Sequence, residues 1–122
     1  MAVHNFRELL VWQRAVDLVV MVYRITEGFP WREMYGLADQ VQRAAVSIPS
    51  NISEGQGRGP SRDFVRFLQY ARGSLQEVMT QLLIAQRLEF AEADKVEDTL
   101  RSCDEIARLL NGLIRSVEAR LG

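Results

Sequence analysis

Arg58, Arg62 and Arg66 recur at four-residue intervals in the segment "RGPSRDFVR". If Arg58 is in helical register with the other two, the three guanidiniums share one face. A strip of this kind does one of two things. It pairs with neighbouring acids on a solvated face, or it neutralises phosphates along an RNA backbone. Arg14 and Arg43 are positioned to extend it from other helices. The cations are almost all arginine, Lys95 being the only lysine, and the planar guanidinium suits two-point contacts to phosphate or carboxylate. Single-strand binding also uses exposed aromatics for stacking. Trp12, Trp31 and Tyr70 are available, although Trp12 falls on an apolar stripe.

Other chemistries lack their residues. His4 is the only histidine and precedes the first expected helix, so neither a Ser-His-Asp arrangement nor a Glu-x-x-His di-iron site can be assembled. Cys103 is the lone cysteine. It can form no intrachain disulfide and reads as a small apolar residue on a helix seam. "GQGRGP" shares only its glycines with a phosphate loop. It follows no strand and lacks the Gly-Lys-Ser/Thr ending, so it is an interhelical turn. No catalytic residue, metal or cofactor is expected, and the chain is read as a non-enzyme.

"SIPSNISEGQGR", residues 47 to 58, is the most polar uncharged stretch of the chain. Ser47, Asn51 and Glu54 are spaced four and three apart and share a helix face beside the apolar stripe. Pro49 removes the bond that its N–H would give to the Ala45 carbonyl, predicting a kink. Partly buried polar groups require partners. Ser47, Pro49, Asn51 and Glu54 are therefore read as a structural latch, with Ser74 or Gln13 as partners on adjacent helices.

Four amphipathic helices must position these residues, with expected spans of about 8–27, 33–55, 62–88 and 94–121. The first carries two apolar stripes, 9/12/16/19/23 and 11/15/18/22/25. The second places Met34, Leu37, Val41, Ala44, Ala45, Ile48 and Ile52 inward. Ser61 caps the third helix, which packs Phe64, Phe67, Leu68, Ala71, Leu75, Val78, Met79, Leu82 and Ala85. The fourth has a seam of Val96, Leu100, Cys103, Ala107, Leu110, Ile114, Val117 and Leu121, alternating spacings of four and three. No strand-like alternation is visible. The fold class is all-α, an antiparallel up-down-up-down four-helix bundle forming one domain over 1–122.

The 122 residues are 48% hydrophobic and 25% charged, with a formal net charge of −1. That balance excludes a disordered chain and a strong global attraction to nucleic acid. The charge is uneven: residues 1–88 carry a local +2 and residues 89–122 a local −3. The start of the chain lacks a signal-peptide layout. Its longest apolar run, Leu18 to Tyr23, is well below the roughly 20 residues needed to span a bilayer. A cytoplasmic protein with no membrane partner is expected.

The sequence resembles the four helix bundle protein family, whose members are encoded in intervening sequences of bacterial large-subunit ribosomal RNA genes. The similarity lies in "FRELLVWQRAVDL" (6–18), "YRITEGFPWREMYGLADQVQRAAVSIPSNISEGQGR" (23–58) and "FVRFLQYARGSLQEVMTQL" (64–82). The resemblance implies a ring-like homopentamer of four-helix protomers without enzymatic activity. It would give the second stripe of the first helix a purpose, with Val11, Leu18, Val22 and Ile25 as the oligomer interface. A related type, the accessory protein of diversity-generating retroelements, is a basic pentamer that binds nucleic acid and a reverse transcriptase. The expected partners are thus other copies of the chain and RNA or a nucleic-acid enzyme. Two functions follow: an RNA-associated oligomer with Arg58, Arg62 and Arg66 as phosphate contacts, or a protein-interaction adaptor that touches no RNA. This chain differs from the retroelement type in being slightly acidic.

Overall fold

The computed structural model describes residues 5–121. His4 lies outside them. The described residues form four α-helices and no strand: α1 Leu10–Thr26, α2 Leu37–Gln56, α3 Arg62–Arg87 and α4 Ala93–Arg120.

Local chemistry accounts for where each helix begins and ends. Phe6–Glu8 is a short 3-10 turn capped by Asn5, whose side-chain oxygen accepts from the Arg7 N–H at 2.9 Å. Leu9 is extended, so α1 starts two residues later than expected. Gln13 donates to the Arg7 carbonyl at 2.8 Å and ties the turn to the helix. The expected second helix also starts late. Trp31–Glu33 is a separate 3-10 turn, and α2 opens only after Gly36. Glu33 reaches forward to accept from the Leu37 N–H at 3.1 Å, satisfying one of the orphan donors of the first turn. Met34 therefore precedes α2 and is exposed, not inward-facing. α2 then continues as helix through the buried Pro49. Ser61 caps α3 as expected, its hydroxyl accepting from the Phe64 N–H at 3.1 Å. Between α3 and α4, Glu89 takes a left-handed φ of 63° and Phe90 N–H bonds back to the Ala85 carbonyl, a Schellman closure without its usual glycine.

Each helix packs against two others, in the cycle α1–α2–α3–α4, and most extensively α2 against α3. Neighbours run antiparallel. Gln42 near the start of α2 bonds Thr26 at the end of α1 at 2.9 Å. Gly55 near the end of α2 faces Phe64 and Phe67 at the start of α3, while Ser47 meets Ser74 further along. Arg14 of α1 pairs with Glu105 of α4 at 3.3 Å, and Arg72 of α3 bonds Asn111 of α4 at 2.9 Å.

One continuous core fills the interior, drawn from all four helices. A smaller cluster of Phe29, Ala38 and Ala85, joined by Phe90, closes the end where α1 turns into α2. The fourth-helix seam largely matches: Val96, Cys103, Leu110, Ile114 and Val117 are buried, with Thr99 and Ile106 beside them. Leu121 is exposed. Burial, with the nearby Asp104 charge adding to it, pushes the Cys103 thiol up to about 12. The residue is therefore an unreactive apolar filler at physiological pH.

The first helix corrects the expectation about its two stripes. Val11, Leu18, Val22 and Ile25 are all buried inside the protomer, Leu18 completely. They cannot also form an interface between copies. The stripe containing Leu9, Trp12, Val16, Val19 and Tyr23 is the outer one, half-buried to exposed.

Candidate nucleic-acid interface

The arginines of interest gather where α2 ends and α3 begins, but helical register is not what joins them. Arg58 lies beyond α2, in the turn that carries Gly59 at a left-handed φ of 67°. That conformation is one glycine adopts at little cost. The turn brings the Arg58 guanidinium to 4.6 Å from the centre of the Phe67 ring. Arg66, on α3, reaches the same ring at 5.6 Å. Two cations therefore flank one half-buried aromatic, a favourable placement against its quadrupole. Phe67 packs perpendicular to Tyr70, centroids 5.7 Å apart and planes at 85°. Tyr70 remains 52% exposed.

Carboxylates are threaded through the same cluster. Asp63 pairs with Arg66 at 3.0 Å and lies 3.9 Å from Arg58. Glu54 pairs with Arg58 at 3.4 Å. Glu54 thus turns out to solvent, toward Arg58, and is not part of the latch. These pairs are half-exposed, so each contributes little to stability and is readily exchanged for another anion. Arg62 has no ion-pair partner among the described residues. It lines a shallow cleft of about 400 Å³ with Val65, Arg66, Gln69, Glu118 and Leu121. The cluster therefore carries one more arginine than the acids directly paired within it.

Arg14 and Arg43 do not extend this surface. Arg14 is held by Asp17 at 3.6 Å and by Glu105 across to α4. Arg43 is held by Asp39, one turn earlier on α2, at 2.8 Å.

The other polar residues of this stretch find partners. The Ser47 hydroxyl bonds the Ala44 carbonyl at 2.9 Å and shares a short hydrogen bond with Ser74 of α3. The Asn51 amide donates to the Ser47 carbonyl at 2.8 Å, and Ser50 donates to the Val46 carbonyl at 2.9 Å. Side-chain donors thus reach carbonyls on both sides of Ala45, whose usual helical partner Pro49 removes. Ser74 is the cross-helix partner. Gln13 is engaged at Arg7 instead.

Asp63 is one of the neighbouring acids expected to pair with the strip, and it is shared by Arg58 and Arg66. One contributor escaped the sequence reading: Phe67 reads as a core residue, yet it forms the platform for both arginines. The alternation of basic and aromatic residues in "RDFVRFLQY" was the available signal.

Among the described residues, no group of three or more His, Cys, Asp or Glu side chains could hold a metal ion. No helix there is long and apolar enough to cross a membrane.

No curated protein matches the chain. The solved structures include a similar one, a protein of unknown function from the S23 ribosomal protein family of Bacteroides thetaiotaomicron. It superposes with a TM-score of 0.78 at 23% identity, over 86% of this chain and 98% of that one. At that identity the likeness concerns the bundle itself. The profile of the family described as 23S rRNA-intervening sequence protein matches residues 7–112. That span includes all three interhelical connections, the Ser47–Asn51 stretch and the whole arginine–aromatic cluster, and on it the chain belongs to the 23S rRNA-intervening sequence protein family.

Proposed function

We propose that the protein is a non-enzymatic, homo-oligomeric bundle that associates with RNA through Arg58, Arg62 and Arg66. The observation that carries the RNA reading is the convergence of Arg58 and Arg66 on Phe67, beside an exposed Tyr70 and an Arg62 with no ion-pair partner among the described residues. Phosphates can displace the exposed carboxylates that now pair Arg58 and Arg66. The non-enzymatic reading draws support from the inert Cys103 and from Glu54, which is occupied by Arg58.

For the oligomer, the buried stripe of α1 gives way to an outer apolar surface. Trp31 and Tyr35 are 82% and 88% exposed, with Tyr23 and Met34 also exposed nearby in the chain. Large exposed aromatics grouped in this way mark interaction surfaces. A pentameric ring is the assembly proposed. Light scattering coupled to size exclusion should give five times the protomer mass of 13.9 kDa; a monodisperse single protomer contradicts the oligomer.

RNA association is tested by titrating a structured ribosomal RNA fragment at several salt concentrations. The account expects salt-dependent affinity, with Arg62→Ala and Arg66→Ala each weakening it. Each lost phosphate contact should flatten the slope of log K against log salt by roughly 0.7–0.9.

A second reading has its own observation. Trp31 and Tyr35 lie at the end of the bundle opposite the arginines, and an adaptor for a nucleic-acid enzyme such as a reverse transcriptase would dock there. Under that reading Trp31→Ala abolishes partner binding while the arginine variants leave it intact.

A further inference from the structure

The arginine cluster is poorly built as a purely electrostatic RNA site. Asp63 and Glu54 already occupy Arg58 and Arg66, and Glu118 lies in the cleft beside Arg62. A duplex recognised by its backbone alone would meet almost no net charge here. Aromatic surface is what the site offers in addition. Tyr70 is half-exposed and fixed in orientation by its perpendicular contact with Phe67. Phe67 in turn lies within 4.6 and 5.6 Å of the Arg58 and Arg66 guanidiniums. An exposed ring one helical turn from Arg66, packed edge-on against Phe67, can receive a base only if that base is free to leave its own stack.

We infer that the site recognises unpaired RNA: a splayed-out nucleobase stacks on Tyr70 while Arg62 and Arg66 hold the adjoining phosphates. This rests on the RNA association proposed above and narrows it to single strands, loops or bulges. Sequence preference is expected to be low, since every base presents a π face. Phe67 positions Tyr70 and does not itself contact the base.

The test uses fluorescence anisotropy of the full-length protein with a labelled, unstructured oligoribonucleotide and with the same strand annealed to its complement. The single strand should bind more tightly than the duplex. Tyr70→Ala should weaken single-strand binding by about 5- to 150-fold, the range measured for losing one stacked base. Tyr70→Phe should restore it, while Arg62→Ala should weaken both RNA forms. Circular dichroism melting of each variant verifies that the bundle is intact. Equal binding of both forms with no loss in Tyr70→Ala would overturn the stacking inference alone and leave RNA association standing. Absence of binding to either RNA by the parent protein would overturn both.

Discussion

Leu18→Ala is expected to destabilise the protomer by about 2–5 kcal/mol, read as a lower denaturant midpoint at fixed protein concentration. Leu18 is wholly buried in the shared core, among residues from the other three helices. Truncating it removes apolar contact and leaves a cavity that a bundle with interlocked side chains fills only in part. The same substitution separates two accounts of α1. If this stripe glued copies together, the variant would dissociate while each protomer kept its fold. The burial of Val11, Leu18, Val22 and Ile25 predicts the reverse: the fold weakens first, and the outer surface of α1 is untouched. A variant with parental stability but reduced oligomer mass would show that the stripe faces another copy.

Gly55→Ala should be the most damaging of the small-residue changes, at roughly 1–3 kcal/mol of overpacking. An added Cβ would lie 2.8 Å from the Phe67 Cβ, 2.9 Å from the Phe64 ring and 3.3 Å from the Phe64 carbonyl oxygen. The first and last of these ride on the α3 backbone and cannot rotate away. Relief requires α2 and α3 to separate, along the most extensive interface of the bundle. Alanine's better helix propensity, worth up to about 1 kcal/mol, offsets only part of that. Gly73→Ala is the internal control. It sits within α3 where nothing approaches within 4 Å of the added carbon, so propensity alone acts and the variant should be slightly more stable. Thermal melts of the two variants should therefore shift in opposite directions. Because Phe67 also supports both arginines, Gly55→Ala is expected to loosen the arginine–aromatic cluster along with the fold.

The parts of this structure readable from sequence are those governed by local rules. Ser61 caps α3 because a serine hydroxyl before an apolar run answers an orphan N–H. The seam of α4 is legible because its three-four spacing admits one buried face. Of the two cross-helix partners open to the polar stretch, Ser74 and Gln13, the structure uses Ser74, because a polar residue beside a core stripe needs a partner on the neighbouring helix.

What was illegible depends on tertiary placement. The two stripes of α1 have equivalent spacing, and only the positions of α2 and α4 decide which one is inside. The opening of α2 reads as helical through "WREMYG", yet Gly36 adopts ψ −117°, outside the helix. The regular interval of Arg58, Arg62 and Arg66 was informative for the wrong reason. Arg58 joins Arg66 because the glycine turn folds it onto Phe67, not because the three share a helix face. Phe67 was hidden among core aromatics, since half-burial at a helix end and full burial within a bundle give the same apolar pattern.

The proposed RNA site lies at the junction of α2 and α3. Its most direct test is the affinity of the parent protein and of the Arg62→Ala/Arg66→Ala double variant for a structured 23S ribosomal RNA fragment across a salt series. The account predicts binding that weakens with salt in the parent and is largely lost, with a flatter salt slope, in the double variant. Equal affinity and equal slope for the two proteins, or no salt-dependent binding by the parent, would contradict it.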